Sequence, residues 1–149
     1  MNILSDMTSD LQRKSILNSK SIFIGPPGVG KSIIRQIYID DFRRFTEQSG
    51  EFTLQPGSEL ETLEKVADLA PTLEKIIFVV SKEYSYDIIS NYLNLLLSCL
   101  APFNERLNYL VLINKIDLMS ELEAEQLKLK ILIDFVNRCN IDVQFRSFK

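Results

Sequence analysis

The sequence predicts an α/β fold built on a mainly parallel sheet, and three observations support that prediction. Apolar runs typical of buried strands alternate along the chain with segments of helical periodicity. Two of these runs, at residues 75–81 and 109–113, are almost continuously apolar, as parallel strands covered on both faces are. The length of 149 residues, with 46% hydrophobic and 25% charged residues, fits one domain with a single core.

The first part of the chain predicts a strand, a loop and a helix. Residues 1–19 show no clear period and are expected to form a tail or a short helix, which leaves residues 20–149 as the domain. Residues 21–24 are an apolar run that ends in a Gly/Pro-rich turn, as a buried strand followed by a loop does. Large apolar residues then recur at helical spacing over residues 31–45.

The rest of the chain continues the alternation. A weaker strand pattern covers residues 51–54, and helical spacing returns from residue 60 up to Pro71. The strand at residues 75–81 is the clearest in the chain. After it we predict a helix at residues 86–100, a strand at 109–113, a helix at 121–138 and a strand at 141–145.

The composition excludes several classes of function. Seventeen Lys and Arg against twenty Asp and Glu give a net charge of −3, and without a basic run we expect no nucleic-acid partner. The absence of histidine excludes Ser-His-Asp, Cys-His and histidine–metal chemistry. Two cysteines far apart and no signal-peptide pattern predict a reduced, cytoplasmic protein. The longest apolar stretch, at residues 92–100, is too short for direct membrane insertion.

The loop after the first strand carries a phosphate-binding pattern. It fits G-x-x-x-x-G-K-S/T completely, with the residues Gly25, Pro26, Pro27, Gly28, Val29, Gly30, Lys31 and Ser32. The glycines let the backbone wrap a phosphate and turn its N–H groups inward, and the N-terminus of the next helix adds partial positive charge. We expect Lys31 to reach the β- and γ-phosphates of a nucleotide and Ser32 to bind Mg²⁺.

A second motif directly follows the strand at residues 109–113. Its residues have the form N-K-x-D, which resembles the guanine-specificity motif of Ras-like GTPases: Asn114, Lys115, Ile116 and Asp117. At the carboxyl end of a parallel strand they would lie at the crevice where open α/β sheets bind ligands. The Asp117 carboxylate can accept hydrogen bonds from N1–H and the 2-amino group of guanine, whereas adenine offers no such pair. Lys115 is expected to lie along the base, and Asn114 to tie the two loops together.

A third, short motif follows the last predicted strand. Ser147, Phe148 and Lys149 resemble the S-A-K signature whose backbone contacts guanine in Ras-like proteins. Because the three motifs occur in the family's order, residues 20–149 resemble a compact, divergent Ras-like small GTPase. The resemblance implies a three-layer P-loop G domain that binds GTP or GDP with Mg²⁺. An AAA+ ATPase would need Asp-Glu at the end of a central strand. The candidate strands here end in Ser81-Lys82-Glu83 and Asn114-Lys115 instead.

The chain departs from this family where switch II lies. Ras-like proteins carry D-x-x-G before the switch II helix, and the corresponding residues here are 54–57; the alternative match at residues 68–71 leaves too little chain for that helix. In the first alignment Gly57 would sense the γ-phosphate, and Leu54 replaces the aspartate that supports Mg²⁺. Ser58 replaces the glutamine that orients the attacking water, and Pro27 places a ring near that water.

The switch I region and the end of the domain differ as well. Residues 31–54 leave room for a helix and a turn but hardly for a switch I loop and an antiparallel edge strand. Thr46 and Thr53 are the only threonines available for the switch I role. The domain is therefore expected to lack or shorten the switch I and second-strand region. The terminal helix that covers one sheet face is expected to be missing, unless residues 1–19 replace it.

Within the superfamily the chain looks most like Rag/Gtr GTPases, on residues 30–39, 56–57 and 103–117. Arf-like proteins and the β subunit of the signal-recognition-particle receptor remain alternatives. Rag/Gtr proteins act as heterodimers in amino-acid signalling at the lysosome or vacuole. The resemblance thus implies a protein partner, either a second GTPase or an effector, and recruitment to an endomembrane through it, because neither Gly at position 2 nor a C-a-a-X box is present.

Three functions are compatible with these observations. The first is a signalling or trafficking switch that binds guanine nucleotide and hydrolyses GTP weakly. The second is a pseudo-GTPase interaction module without turnover, which Leu54, Ser58 and the short switch region favour. The third, a small P-loop kinase, would need lid arginines, for which Arg13, Arg43 and Arg44 are poor candidates.

Overall fold

A computed structural model describes residues 21–29, 49–114 and 120–145, which form five strands and three α-helices. The strands are β1 (Ser21–Gly25), β2 (Ser49–Thr53), β3 (Lys75–Ser81), β4 (Asn108–Asn114) and β5 (Asn140–Phe145). The helices are α1 (Glu59–Leu69), α2 (Tyr86–Cys99) and α3 (Glu121–Phe135). Short 3₁₀ helices follow α1 and α2 at Ala70–Thr72 and Ala101–Phe103. The predicted helix over residues 31–45 and the tail at residues 1–19 lie outside the described residues.

The five strands form one sheet in the order β2-β1-β3-β4-β5, and every neighbouring pair is parallel. The chain connections from β2 to β3, from β3 to β4 and from β4 to β5 all cross the sheet in the same direction. Because such crossovers are right-handed, α1, α2 and α3 lie on the same face. The predicted α/β class and parallel sheet are therefore confirmed, and the part of the sheet that the structure describes holds no antiparallel edge strand.

The three helices bury one face of the sheet. Leu63 and Val66 of α1, Leu93 and Leu96 of α2, and Phe135 of α3 join one core cluster with alternate residues of the strands. On the opposite face, the central strands contribute a second cluster whose residues are at most 4% exposed: Phe23, Ile77, Val79, Leu110 and Leu112, together with Val29. The three central strands are therefore buried on both faces, as the inner strands of a three-layer fold are.

Several boundaries differ from the prediction by one to three residues. Helix α3 ends at Phe135 rather than at residue 138, because the chain turns there to begin β5 at Asn140. The N–H groups of Arg138 and Cys139 both donate to the carbonyl of Phe135, at 2.9 and 3.2 Å, and close the helix. Strand β2 covers Ser49–Thr53 instead of residues 51–54, so Leu54 begins the following loop.

Among the described residues, no helix is long and apolar enough to cross a bilayer.

Candidate functional site

The order of the strands fixes where a ligand would bind. From β1 the chain goes to β2 on one side, and it then crosses to β3 on the other side. The direction of the connections thus reverses between β1 and β3, and open α/β sheets bind ligands at the carboxyl ends of the strands at such a point. Gly25 ends β1 and Ser81 ends β3, so the predicted phosphate loop starts at this position.

The first residue of the loop lies directly against the backbone of β3. A Cβ atom added to Gly25 would lie 2.1 Å from the carbonyl oxygen of Val79. Only glycine allows this approach, which holds the start of the loop on the central strand.

The next residues of the loop project outwards. Pro27 and Gly28 are exposed, and Gly28 has a φ of +77° with open space around its Cβ position. Val29 returns to the protein and is fully buried in the second core cluster. The exposed, glycine-containing turn between two anchored residues fits the shape that a phosphate needs.

Asn114 connects this loop to the strand two positions away in the sheet. Its side-chain Nδ2 donates to the carbonyl of Val29 at 3.1 Å, and the residue is 2% exposed. The Asn114 carbonyl accepts from the N–H of Lys82 at 3.1 Å, which fixes the end of β4 to the end of β3. The phosphate loop and the first residue of the N-K-x-D motif are thus joined by a buried hydrogen bond.

Tyr84 is a contact that the sequence analysis did not single out. Its hydroxyl lies 3.5 Å from the carbonyl oxygen of Pro27, and its N–H donates to the carbonyl of Ser81 at 3.0 Å. The loop after β3 therefore flanks the phosphate loop. A tyrosine three residues after a strand belongs to no motif, so only its proximity in the fold reveals it.

The segment at residues 54–57 also reaches the phosphate loop. The N–H of Leu54 donates to the carbonyl of Gly25 at 2.9 Å, and the Leu54 side chain is fully buried. Asp68, in the alternative alignment, is in the last turn of α1, and α1 runs from the carboxyl to the amino edge of the sheet. This geometry favours the alignment of D-x-x-G with residues 54–57, which places an apolar side chain where the family has a carboxylate.

Gly57, the expected sensor of the γ-phosphate, is exposed at the start of α1. Its N–H donates to Oε1 of Glu59 at 2.9 Å. The backbone donor is thus bonded to a carboxylate of its own chain, and a phosphate would have to replace that contact.

The remaining predicted site residues lie outside the described part of the chain. They are Gly30, Lys31, Ser32, Lys115, Asp117, Ser147, Phe148 and Lys149. Within residues 21–29, 49–114 and 120–145, no group of three acidic, cysteine or histidine side chains could hold a metal ion.

The two cysteines are not suited to nucleophilic chemistry. Cys99 and Cys139 are free and half-buried, and burial raises the pKa of both thiols. A raised pKa keeps a thiol protonated and unreactive at neutral pH.

A solved structure has a similar fold. It is an ADP-ribosylation-factor-like GTP-binding protein, the small COPII coat GTPase SAR1 from Encephalitozoon cuniculi, in complex with GDP. The TM-score is 0.58 at 14% sequence identity, over 97% of this chain and 80% of that chain. The fold is that of a small GTPase. No protein-family model matches the chain, and no curated protein matches it in sequence.

The small-GTPase fold explains the positions of the loops. The carboxyl edge of the sheet brings Gly25, Leu54, Ser81 and Asn114 together, although they are spread over 90 positions of the sequence. The match to a SAR1 structure shows this fold and does not by itself assign the chain to a subgroup.

Proposed function

We propose that the protein binds guanine nucleotide and acts as a small GTPase-like switch in signalling or trafficking, with weak GTP hydrolysis. The observation that carries the proposal is the buried hydrogen bond from Asn114 to Val29 at the switch point of the sheet. It joins a complete phosphate-binding sequence to an N-K-x-D sequence, so the groups that would select phosphate and guanine belong to one site.

The proposed roles follow from the chemistry of each residue type. The phosphate loop would surround the phosphates with backbone N–H groups, and Lys31 would neutralise their charge. Ser32 would hold Mg²⁺. Asp117 would accept the two guanine donors, Lys115 would lie along the base, and the backbone at residues 147–149 would complete the base pocket.

Slow hydrolysis is proposed because two contributors to the reaction are replaced. Leu54 offers no carboxylate to the Mg²⁺ shell and is fully buried. Ser58 is too short to orient an attacking water as a glutamine does. A pseudo-GTPase interaction module is the second candidate function, and the buried Leu54 is the observation that favours it.

Exchange of the base-binding carboxylate tests the proposed site. Asp117→Asn should weaken GDP binding about 100-fold and favour xanthosine diphosphate, because an amide matches the 2-oxo group of xanthine. Lys31→Ala should remove binding of both nucleotides. Competition with a fluorescent GDP analogue measures these affinities.

Asp68→Asn is the matched control, because Asp68 lies in the last turn of α1 and is the acidic residue of the rejected alignment. It should leave both affinities unchanged. If Asp117→Asn and Lys31→Ala bind GDP as the natural protein does, the proposed site is wrong.

Single-turnover GTP hydrolysis separates the two candidate functions. A slow release of phosphate that Lys31→Ala removes supports the switch, whereas bound GTP that stays intact supports the interaction module.

We also infer a subgroup and a location from the sequence motifs. Residues 30–39 and 103–117 resemble Rag/Gtr GTPases, which supports pairing with a second GTPase or an effector. In that proposal the protein is cytoplasmic and reaches the lysosomal or vacuolar surface through its partner.

A further inference from the structure

The side chain of Ser81 stands out at the carboxyl end of β3. It is fully buried, and its hydroxyl has no hydrogen-bond partner among the residues that the structure describes. A buried hydroxyl without a partner destabilises the folded state, so such groups are rare in native structures. A functional role would explain why a serine occupies this buried position.

The hydroxyl lies on the face of the sheet that carries the phosphate loop. Side chains alternate along a strand, so Ser81 shares a face with Ile77 and Val79. Those two residues belong to the core cluster that also contains Val29 and Tyr84. The carbonyl of Val79 is the group against which Gly25 is pressed. Ser81 therefore lies on the face of the sheet against which Val29 of the loop packs.

Ser81 also adjoins the start of the N-K-x-D motif. In the parallel pairing of β3 with β4, its register partner is Asn114. We call Gly25, Val29, Ser81 and Asn114 the junction, because they join the phosphate loop to the base-binding loop.

The other polar contacts of the junction already have partners. The Asn114 amide bonds the Val29 carbonyl, and the Ser81 carbonyl accepts from the N–H of Tyr84. An apolar side chain would satisfy the packing of β3 equally well, as Ile77 and Val79 do in the same row. Among the described residues, the Ser81 hydroxyl is the buried side-chain group that neither packing nor a hydrogen bond explains.

We propose that Ser81 is a positioning residue of the nucleotide site. When a nucleoside diphosphate is bound, its hydroxyl forms a hydrogen bond with the backbone of the phosphate loop above it. Part of the binding free energy then comes from satisfying a hydroxyl that has no partner among the residues that the structure describes. This inference rests on the proposed function and adds a residue to it.

Ser81→Ala tests the inference through two readouts of opposite sign. Removal of the unpaired hydroxyl should raise the melting temperature of the nucleotide-free protein by about 2–5 °C. The dissociation constant for GDP should increase about 3- to 10-fold, because one hydrogen bond to the loop is lost. A role in packing alone would not move the two readouts in opposite directions.

The matched control is Ser21→Ala, at the amino end of β1 and 3% exposed. It removes a buried serine hydroxyl far from the loop, so GDP affinity should not change. Ser81→Cys preserves the size of the side chain with a weaker hydrogen-bonding group, and it takes the place of Ser81→Ala if that variant does not fold.

Three results would overturn the inference. They are an unchanged GDP affinity in Ser81→Ala, a lower melting temperature of the nucleotide-free variant, and an equal loss of affinity in Ser21→Ala. If the unsubstituted protein binds no GDP, both the proposed function and this inference are wrong. If the unsubstituted protein binds GDP and Ser81→Ala binds GDP equally well, only the inference is wrong.

Discussion

The site depends on single residues whose effects differ in kind. Gly25 has no side chain, and this allows the phosphate loop to start in contact with the backbone of Val79. Asn114 acts through one buried hydrogen bond. Leu54 is fully buried, and in the proposed alignment it offers no carboxylate where the D-x-x-G aspartate would support Mg²⁺. The first two would support nucleotide binding, whereas the third would limit catalysis.

Gly25→Ala should destabilise the protein by about 3 kcal/mol, since its Cβ would lie 2.1 Å from a main-chain oxygen that cannot move aside. Gly28→Ala is the control in the same loop, with a positive φ but open space around the added atom. Its cost should be about 1 kcal/mol from backbone strain alone. Urea denaturation of the nucleotide-free proteins measures both, and an equal cost would contradict the close approach of Gly25 to β3.

At the scale of elements, the starts of the helices define the ends of the site loops. Helix α3 begins after the N-K-x-D loop, and Ser120 caps it. The Ser120 hydroxyl accepts from the N–H of Glu123 and donates to its carboxylate, each at 3.1 Å. Helix α1 has Ser58 in the same position, but the Ser58 side chain accepts no hydrogen bond from the helix N–H groups. The two serines therefore contribute differently to stability.

Ser120→Ala should lower the free energy of unfolding by about 1 kcal/mol, because an N-terminal N–H of α3 loses its acceptor. Ser58→Ala, the matched control, should change it by less than about 0.3 kcal/mol. Thermal unfolding of the two variants in parallel shows the difference. Equal effects would mean that the cap at Ser120 does not hold the start of α3.

At the scale of the whole molecule, the strand order creates the site. The direction of the connections reverses between β1 and β3, where open α/β sheets bind ligands. The end of β1 and the residues that follow it contact Leu54, Tyr84 and Asn114 at this edge. The three described helices cover one face of the sheet, and the buried residues of the second cluster lie on the other. The core therefore supports the site from both sides.

Much of this fold can be predicted from the sequence. Strand β3 matches its predicted bounds because a strand buried on both faces is apolar at nearly every position. The end of α3 was predicted too late, since Val136 continues the helical spacing although the chain already turns at that point. The end of a helix depends on where the next strand begins. The helical periodicity of the sequence gives no information about that position.

The site was predictable only where a motif marks it. The phosphate loop and Asn114 belong to fixed patterns, and the fold brings them together. Ser81 and Tyr84 belong to no pattern, so their closeness to the loop follows from strand register alone. The choice between residues 54–57 and 68–71 likewise depends on which segment ends beside β1, as the bond from Leu54 to Gly25 shows.

Titration of the purified protein with fluorescent GDP, GTP and ATP, with and without Mg²⁺, tests the central claim most directly. A site that joins a phosphate loop to N-K-x-D predicts saturable binding of GDP and GTP that unlabelled guanine nucleotides displace and ATP does not. Binding of ATP with equal affinity would contradict guanine selection by Asp117, and binding of no nucleotide would contradict the nucleotide site and favour an interaction module.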